Sequence, residues 1–351
     1  MISMDNVINY LNPLELYSTT EMNKLSAAAL KIREKKNGNK VFYNNNFHIE
    51  PSNICIHRCK FCSYRRNDSS QSGAWAMTLD EIIEYCREKY QKGMTEVHVV
   101  GSVHPERDLH YYTSIISILK RELPSEVAIK AYSAVEIDDM SKSAGKSIEY
   151  VLKTLKDAGL SAIPGGGAEI FAPRVRNEIC PDKTDGAKWL EIHRIAHKLG
   201  IRSNATMLFG HIETREERID HMLQLRNLQD ETGGFDAFIP LLFRSSNNQL
   251  SHLGEVGIIE ILKTFAISRI VLDNITHIKS YWPMLGKELS QLALLYGADD
   301  IDGTINDSTK IYSMAGSQKN PGMSSLELKR MAEECGFMAI ERDSFYNEVK
   351  K

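Results

Sequence analysis

Cys55, Cys59 and Cys62 fall within eight residues, while Cys86, Cys180 and Cys335 stand apart. The spacing Cys55-x3-Cys59-x2-Cys62 puts three thiols in one short loop. Three thiolates can hold three irons of a four-iron cluster and leave the fourth iron open to a ligand. An open metal position is what a reactive site needs and a closed structural site lacks. The alternative is zinc, with His57 or His48 as the fourth donor. Structural zinc sites usually draw on two separated ligand pairs, and this sequence offers no second pair.

The elements around this loop follow a repeating pattern. Residues 5–36 carry helical periodicity, through Leu11, Leu14 and Leu25 to Ile32, and end at a polar breaker before Gly38. Strand candidates at 47–50, 97–100, 127–132, 160–163, 202–208, 235–242, 277–282 and 299–304 alternate with amphipathic helical stretches. Capping boxes at Thr78-x-x-Glu81 and Thr214-x-x-Glu217 open two of those helices. Eight strand–helix units predict an α/β fold, a (β/α)8 TIM-type barrel with an N-terminal helical extension. The doubly wound alternative lacks its G-x-G-x-x-G fingerprint. The expected division is an extension over 1–40, a barrel over 41–305 and a helical and strand extension over 306–351. Barrel chemistry sits where strands run into βα-loops. That rule gathers the cysteine loop, Gly101-Ser102, Ser133, the 165–167 glycines, Gly210-His211, Phe243-Arg244 and Asp302-Gly303 at one mouth.

Composition excludes several classes. With 43 Lys+Arg against 46 Asp+Glu the formal charge is -3, so no overall basic field favours nucleic acid. Hydrophobic content of 42% and charged content of 25% describe an ordinary globular chain. No apolar run approaches the ~20 residues of a membrane span, and the first residues lack a signal peptide's charged start and apolar centre. A cytoplasmic location is therefore expected, where clustered cysteines bind metal or do redox work and seldom form disulfides.

Cys55-x3-Cys59-x-Phe61-Cys62 at the end of a barrel's first strand resembles the signature of the radical S-adenosylmethionine enzymes. The resemblance implies a [4Fe–4S] cluster on Cys55, Cys59 and Cys62, whose open iron chelates S-adenosyl-L-methionine, with Phe61 bordering the adenine. It further implies cofactor contacts at Gly101, Ser102, Ser133, Glu136, Gly210 and Ile239. Segments 164–171 (PGGGAEIF), 203–207 (SNATM) and 211–214 (HIET), with Phe238-Ile239-Pro240-Leu241, are similar to the aminofutalosine synthase branch of that family. Two positions depart from the branch pattern: Gly101-Ser102 stands for Gly-Gly, and Ser63-Tyr64 for Ala-Phe. The implied reaction adds a 5′-deoxyadenosyl radical to 3-[(1-carboxyvinyl)oxy]benzoate, followed by aryl migration and decarboxylation. A low-potential donor such as flavodoxin or ferredoxin would supply the electron. Two other readings stay open: a sister enzyme that abstracts hydrogen, and a non-catalytic iron–sulfur or zinc protein.

Remaining residues are weighed one by one. Arg202, Arg244 and Lys279 stand near expected mouth positions and can bind substrate carboxylates through charge-assisted hydrogen bonds. Glu136 reads either as a solvated loop carboxylate or as an acceptor for ribose hydroxyls, with Ser133 beside it. Cys86 and Cys335 read as packing groups, and Cys180 has no assigned role. His193 and His197 share a helix face at i, i+4 but lack the Glu of a zinc protease. Gly165-Gly166-Gly167 lacks the Lys-Ser/Thr ending of a phosphate loop and reads as a backbone wall.

Overall fold

The computed structural model describes residues 13–305, 310–316 and 322–350. The part of the expected N-terminal helix that falls on residues 5–12, Leu11 included, lies outside the described residues. Helices α1 (Pro13–Ser18) and α2 (Met22–Asn37) lead into strands β1 (Lys40–Asn44) and β2 (Asn46–Ile49). There follow α3 (Leu79–Lys89), β3 (Glu96–Val99), α4 (Leu109–Glu122), β4 (Ala128–Ala131), α5 (Ala134–Ala144), α6 (Ile148–Ala158) and β5 (Ala162–Ile163). Next come α7 (Pro173–Ile179), α8 (Gly186–Lys198), β6 (Arg202–Phe209), α9 (Arg215–Thr232), β7 (Phe235–Leu242), α10 (Ile258–Val271) and β8 (His277–Ile278). The chain closes with α11 (Trp282–Leu285), α12 (Lys287–Leu294), β9 (Asp300–Gly303), α13 (Lys310–Met314), α14 (Ser325–Glu333) and β10 (Met338–Glu341).

Strands β2 to β8 form one parallel seven-stranded sheet in sequence order. Each connection between neighbours is long enough to carry a helix or loop across the outer face, as parallel pairing requires. The sheet curls as a partial TIM-type barrel. The expected eighth strand forms at β9 but enters a second sheet of order β10-β1-β9. Two features explain this. The first strand is interrupted at Asn45, so β1 pairs with β9 and β10 while β2 pairs with β3. A single bridge, Lys279 to Asp300, links the two sheets across the β8–β9 gap.

Buried polar anchors fix this second sheet. Asp299 accepts hydrogen bonds from Arg269 Nη2 (2.5 Å), Asn37 Nδ2 (2.6 Å), His277 Nδ1 (2.7 Å) and the Ile278 amide (2.8 Å). One carboxylate thus ties α2, α10 and β8 together. Losing one partner of such a buried pair costs about 3–5 kcal/mol. Among the described residues no helix is long and apolar enough to cross a membrane.

Candidate active site

The chain leaves β2 and runs over the C-terminal ends of the strands, where residues 55–62 are pinned from several sides. The Cys55 amide donates to Arg66 O (3.0 Å), Ile56 to Val103 O (3.0 Å) and Lys60 to Ile179 O (2.8 Å). The Ser63 hydroxyl donates to Ser246 O (2.8 Å), and Ser102 Oγ to Ile54 O (2.6 Å). A loop so held presents its side chains at fixed positions with little further entropy to lose. All six cysteines are free thiols; Cys59 is buried, and Cys55 and Cys62 are partly so.

Cys55, Cys59 and Cys62 line one cavity of about 270 Å³. Phe61, Gly101, Ser102, Ser133, Glu136 and Ile239 line it too. So nine of the expected metal and cofactor residues come together at one site from four separate stretches of chain. Burial pushes the Cys55 and Cys59 thiols up, and the Lys183 ammonium only partly offsets this at Cys59. Thiolates in such a place need coordinated metal to stay deprotonated. No three His, Cys, Asp or Glu side chains among the described residues converge tightly enough for a single metal ion. The fit to a cluster therefore rests on the three thiols sharing one wall of the cavity.

Glu136 has a different local role from the one expected. It is the N3 residue of α5, not a loop residue. With Ser133 it forms a capping box, its Oε2 accepting from the Ser133 amide (2.7 Å) and hydroxyl (2.7 Å). The Gly101 amide donates to the same carboxylate. Burial raises its carboxyl to about 7, against these donors. Gly101 is needed for close approach, since a Cβ there would meet Ser52 O at 3.0 Å. Gly165 is needed more strictly: at φ 86° its Cβ would fall 2.1 Å from Asn204 O.

The cavity floor includes His98, Lys130 and Glu96, which the sequence reading did not single out. His48, His98 and Lys130 stand side by side in register on β2, β3 and β4. Lys130 Nζ donates to Glu96 Oε2 at 2.7 Å, with both side chains buried. Across the cavity Lys279 Nζ donates to Asp302 Oδ1 at 2.8 Å, and Arg342 pairs with Asp300 at 2.7 Å. Burial pushes Glu96 up, but Lys130, Arg342 and Lys279 outweigh it and hold the carboxyl well below its usual range.

Other expected residues lie elsewhere. Of Arg202, Arg244 and Lys279, only Lys279 lines the cavity. Arg202 is the first residue of β6, so it starts the strand, away from the mouth, and its guanidinium pairs with Asp236. Arg244 pairs with Glu255 at 3.1 Å. Gly210 makes a tight turn at φ 93°, its amide donating to Glu213 Oε1 (2.6 Å), and is not on the cavity wall. His57 lines the cavity, whereas His48 lies inside the barrel, its ring edge-on to His98 at 4.6 Å. His193 and His197 both hydrogen-bond the Ser203 hydroxyl at 2.8 Å, a packing role. Cys86 and Cys180 are buried, and the Cys335 thiol contacts Gln291 O at 3.7 Å.

Residues 49–225 match the family model of the Radical SAM superfamily, and residues 232–350 match the CofH/MqnC C-terminal region. The aminodeoxyfutalosine synthase of Thermus thermophilus is 44% identical, covering 98% of this chain and 92% of its own. The 5-amino-6-(D-ribitylamino)uracil–L-tyrosine 4-hydroxyphenyl transferase of Methanopyrus kandleri is 38% identical over 93% of this chain and 89% of that one. The cyclic dehypoxanthine futalosine synthase of Streptomyces coelicolor is 34% identical over 96% and 84%. The crystal structure of methylornithine synthase superposes with a TM-score of 0.73, 17% identity and 96% coverage of both chains, a likeness of fold.

Proposed function

Because this chain belongs to the radical S-adenosylmethionine superfamily, enzymes that work with a [4Fe–4S] cluster and S-adenosylmethionine, we propose that it is an aminofutalosine synthase. Its substrate on this reading is 3-[(1-carboxyvinyl)oxy]benzoate, and its product 6-amino-6-deoxyfutalosine, on the futalosine route to menaquinone. When bound, cluster and S-adenosylmethionine supply the 5′-deoxyadenosyl radical that adds to the enol-ether alkene. The observation that carries the reading is 44% identity to an aminodeoxyfutalosine synthase across almost the whole of both chains. The joining of the three thiols and a charged floor in one cavity supports it.

The chain's own residues bind, orient and exclude water. Cys55, Cys59 and Cys62 hold the cluster, and Phe61 packs beside the adenine. Glu136 already accepts from three donors, which leaves one of about four acceptor sites for a ribose hydroxyl. Val100, Val135, Ile239 and Leu241 line the cavity; an apolar wall of this kind keeps water from a reactive carbon radical. Lys279 holds a substrate carboxylate. A low-potential flavodoxin or ferredoxin in the cytoplasm supplies the electron.

The test is the fate of the adenosyl group. Anaerobic enzyme receives reductant, the enolpyruvyl benzoate and S-adenosylmethionine labelled in its adenosyl part, and products are read by mass spectrometry. The synthase reading expects label in the main aromatic product and methionine released in step. Label found almost wholly in free 5′-deoxyadenosine, beside an unlabelled aromatic product, contradicts it and indicates hydrogen abstraction.

A further inference from the structure

Inside the barrel, below the thiols, three buried ring nitrogens of two imidazoles have no hydrogen-bond partner among the described residues. His48 is buried, and neither of its ring nitrogens has a partner among the described residues; His98 Nε2 has none either. Unpaired polar atoms in a protein interior are few, and each one needs a reason. His98 lines the cavity and His48 stands edge-on to it. Their row ends at Lys130, and Lys279 faces the row across the cavity.

The donors here are only partly used. An ammonium has three N–H groups; Lys130 spends one on Glu96, and Lys279 one on Asp302. The charged side chains nearby balance, with Lys130, Lys279 and Arg342 against Glu96, Asp300 and Asp302. A neutral imidazole carries one N–H donor and one acceptor nitrogen, so with the two ammonium groups the row holds more unspent donors than acceptors. A carboxylate offers about four lone-pair sites and no donor, and two of its oxygens can bridge donors on neighbouring strands.

We propose that His98, backed by His48 and flanked by Lys130 and Lys279, binds the ring carboxylate of an aromatic acid at the cavity floor. The inference rests on the aminofutalosine synthase reading, because it gives the benzoate group its place while the alkene points to the thiol end.

The probe is 3-hydroxybenzoate, with 3-hydroxybenzamide as its uncharged counterpart, titrated calorimetrically into cluster-loaded enzyme under anaerobic conditions. The expected result is at least tenfold tighter binding of the acid, reduced at least tenfold in His98→Leu and partly kept in His98→Gln. Where His98→Leu fails to fold with full iron content, Lys279→Gln on the opposite wall serves in its place and is expected to erase the preference for the acid. Equal affinity for acid and amide in the unaltered enzyme overturns the site, as does no saturable binding of the acid, which would mean that water alone occupies it. Unchanged affinity in the variants overturns it as well. Preference for the acid together with label only in 5′-deoxyadenosine upholds the anion site and rejects the synthase reading. Adenosylated product without that preference rejects the site alone.

Discussion

The mouth and the floor of the cavity are built on opposite principles. At the mouth, three thiols and Phe61 come from eight consecutive residues, and backbone hydrogen bonds on both flanks hold the loop in place. At the floor, each charged pair spans tens of residues: Lys130 meets Glu96 and Lys279 meets Asp302, while Arg342 reaches Asp300 from beyond the second sheet. A mouth of this kind keeps its chemistry in a contiguous motif, so it survives changes in the rest of the barrel. A floor of this kind exists only when β3, β4 and β9 and the ends of β8 and β10 are assembled, and on the proposed reading its side chains specify what the reactive carbon meets. On the proposed reading, the difference separates radical generation from substrate choice.

The strongest way to break this division is to remove the thiols. Cys55→Ala, Cys59→Ala and Cys62→Ala are each expected to abolish turnover and lower iron content. Cys86→Ala, Cys180→Ala and Cys335→Ala are expected to keep both, at a packing cost of about 1–2 kcal/mol. Iron analysis and product assay check this, and full iron with activity in any member of the first group refutes the assigned ligands.

An intermediate effect is expected at Glu136, where the cap coincides with the proposed cofactor contact. Its folded carboxyl titrates near 7, raised by burial from 4.5. The folded state therefore binds the extra proton, and the group's contribution to stability is fully present below the unfolded value. That contribution is lost as pH rises through about 7, a change of roughly 3 kcal/mol. Gln at N3 still serves a capping box and does not titrate. The stability of Glu136→Gln relative to the unaltered protein is thus expected to rise between about pH 4.5 and 7, read by thermal unfolding across pH. A difference that is flat with pH contradicts the buried-acid account.

The smallest effect is expected at Arg202. It begins β6 and pairs with Asp236, far down its strand from the mouth. Arg202→Ala should leave KM for the aromatic substrate within about twofold, since a partly exposed ion pair contributes little. A tenfold rise in KM would place substrate where the geometry does not.

Legibility in the sequence follows the same division. The cysteine loop, the glycines and seven sheet strands could be read because each signal is local: spacing, turn chemistry or a short apolar run. Helix α5 was equally legible, because Ser133-x-x-Glu136 is a capping box, yet a Glu after a strand also reads as a loop carboxylate. The interruption at Asn45 and the capture of β1 by β10 could not be read, since Lys40 pairs with Met338 nearly three hundred residues away. Lys130 was hidden for another reason. In the four-residue strand AIKA a lone lysine reads as an outward, solvated position, and only its buried partner Glu96 makes it an inward one.

The division itself is tested most directly by neutralising one buried pair of the floor without leaving either partner charged. In Lys130→Gln with Glu96→Gln, hydrogen bonding across the pair persists and neither side chain carries charge. The measurement is the partition of S-adenosylmethionine between aromatic adduct and free 5′-deoxyadenosine under reducing, anaerobic conditions. The account predicts continued cleavage to methionine and 5′-deoxyadenosine, with the adduct reduced at least tenfold, about 1.4 kcal/mol or more of lost positioning. An adduct share equal to that of the unaltered enzyme, or loss of cleavage with the iron intact, would contradict it.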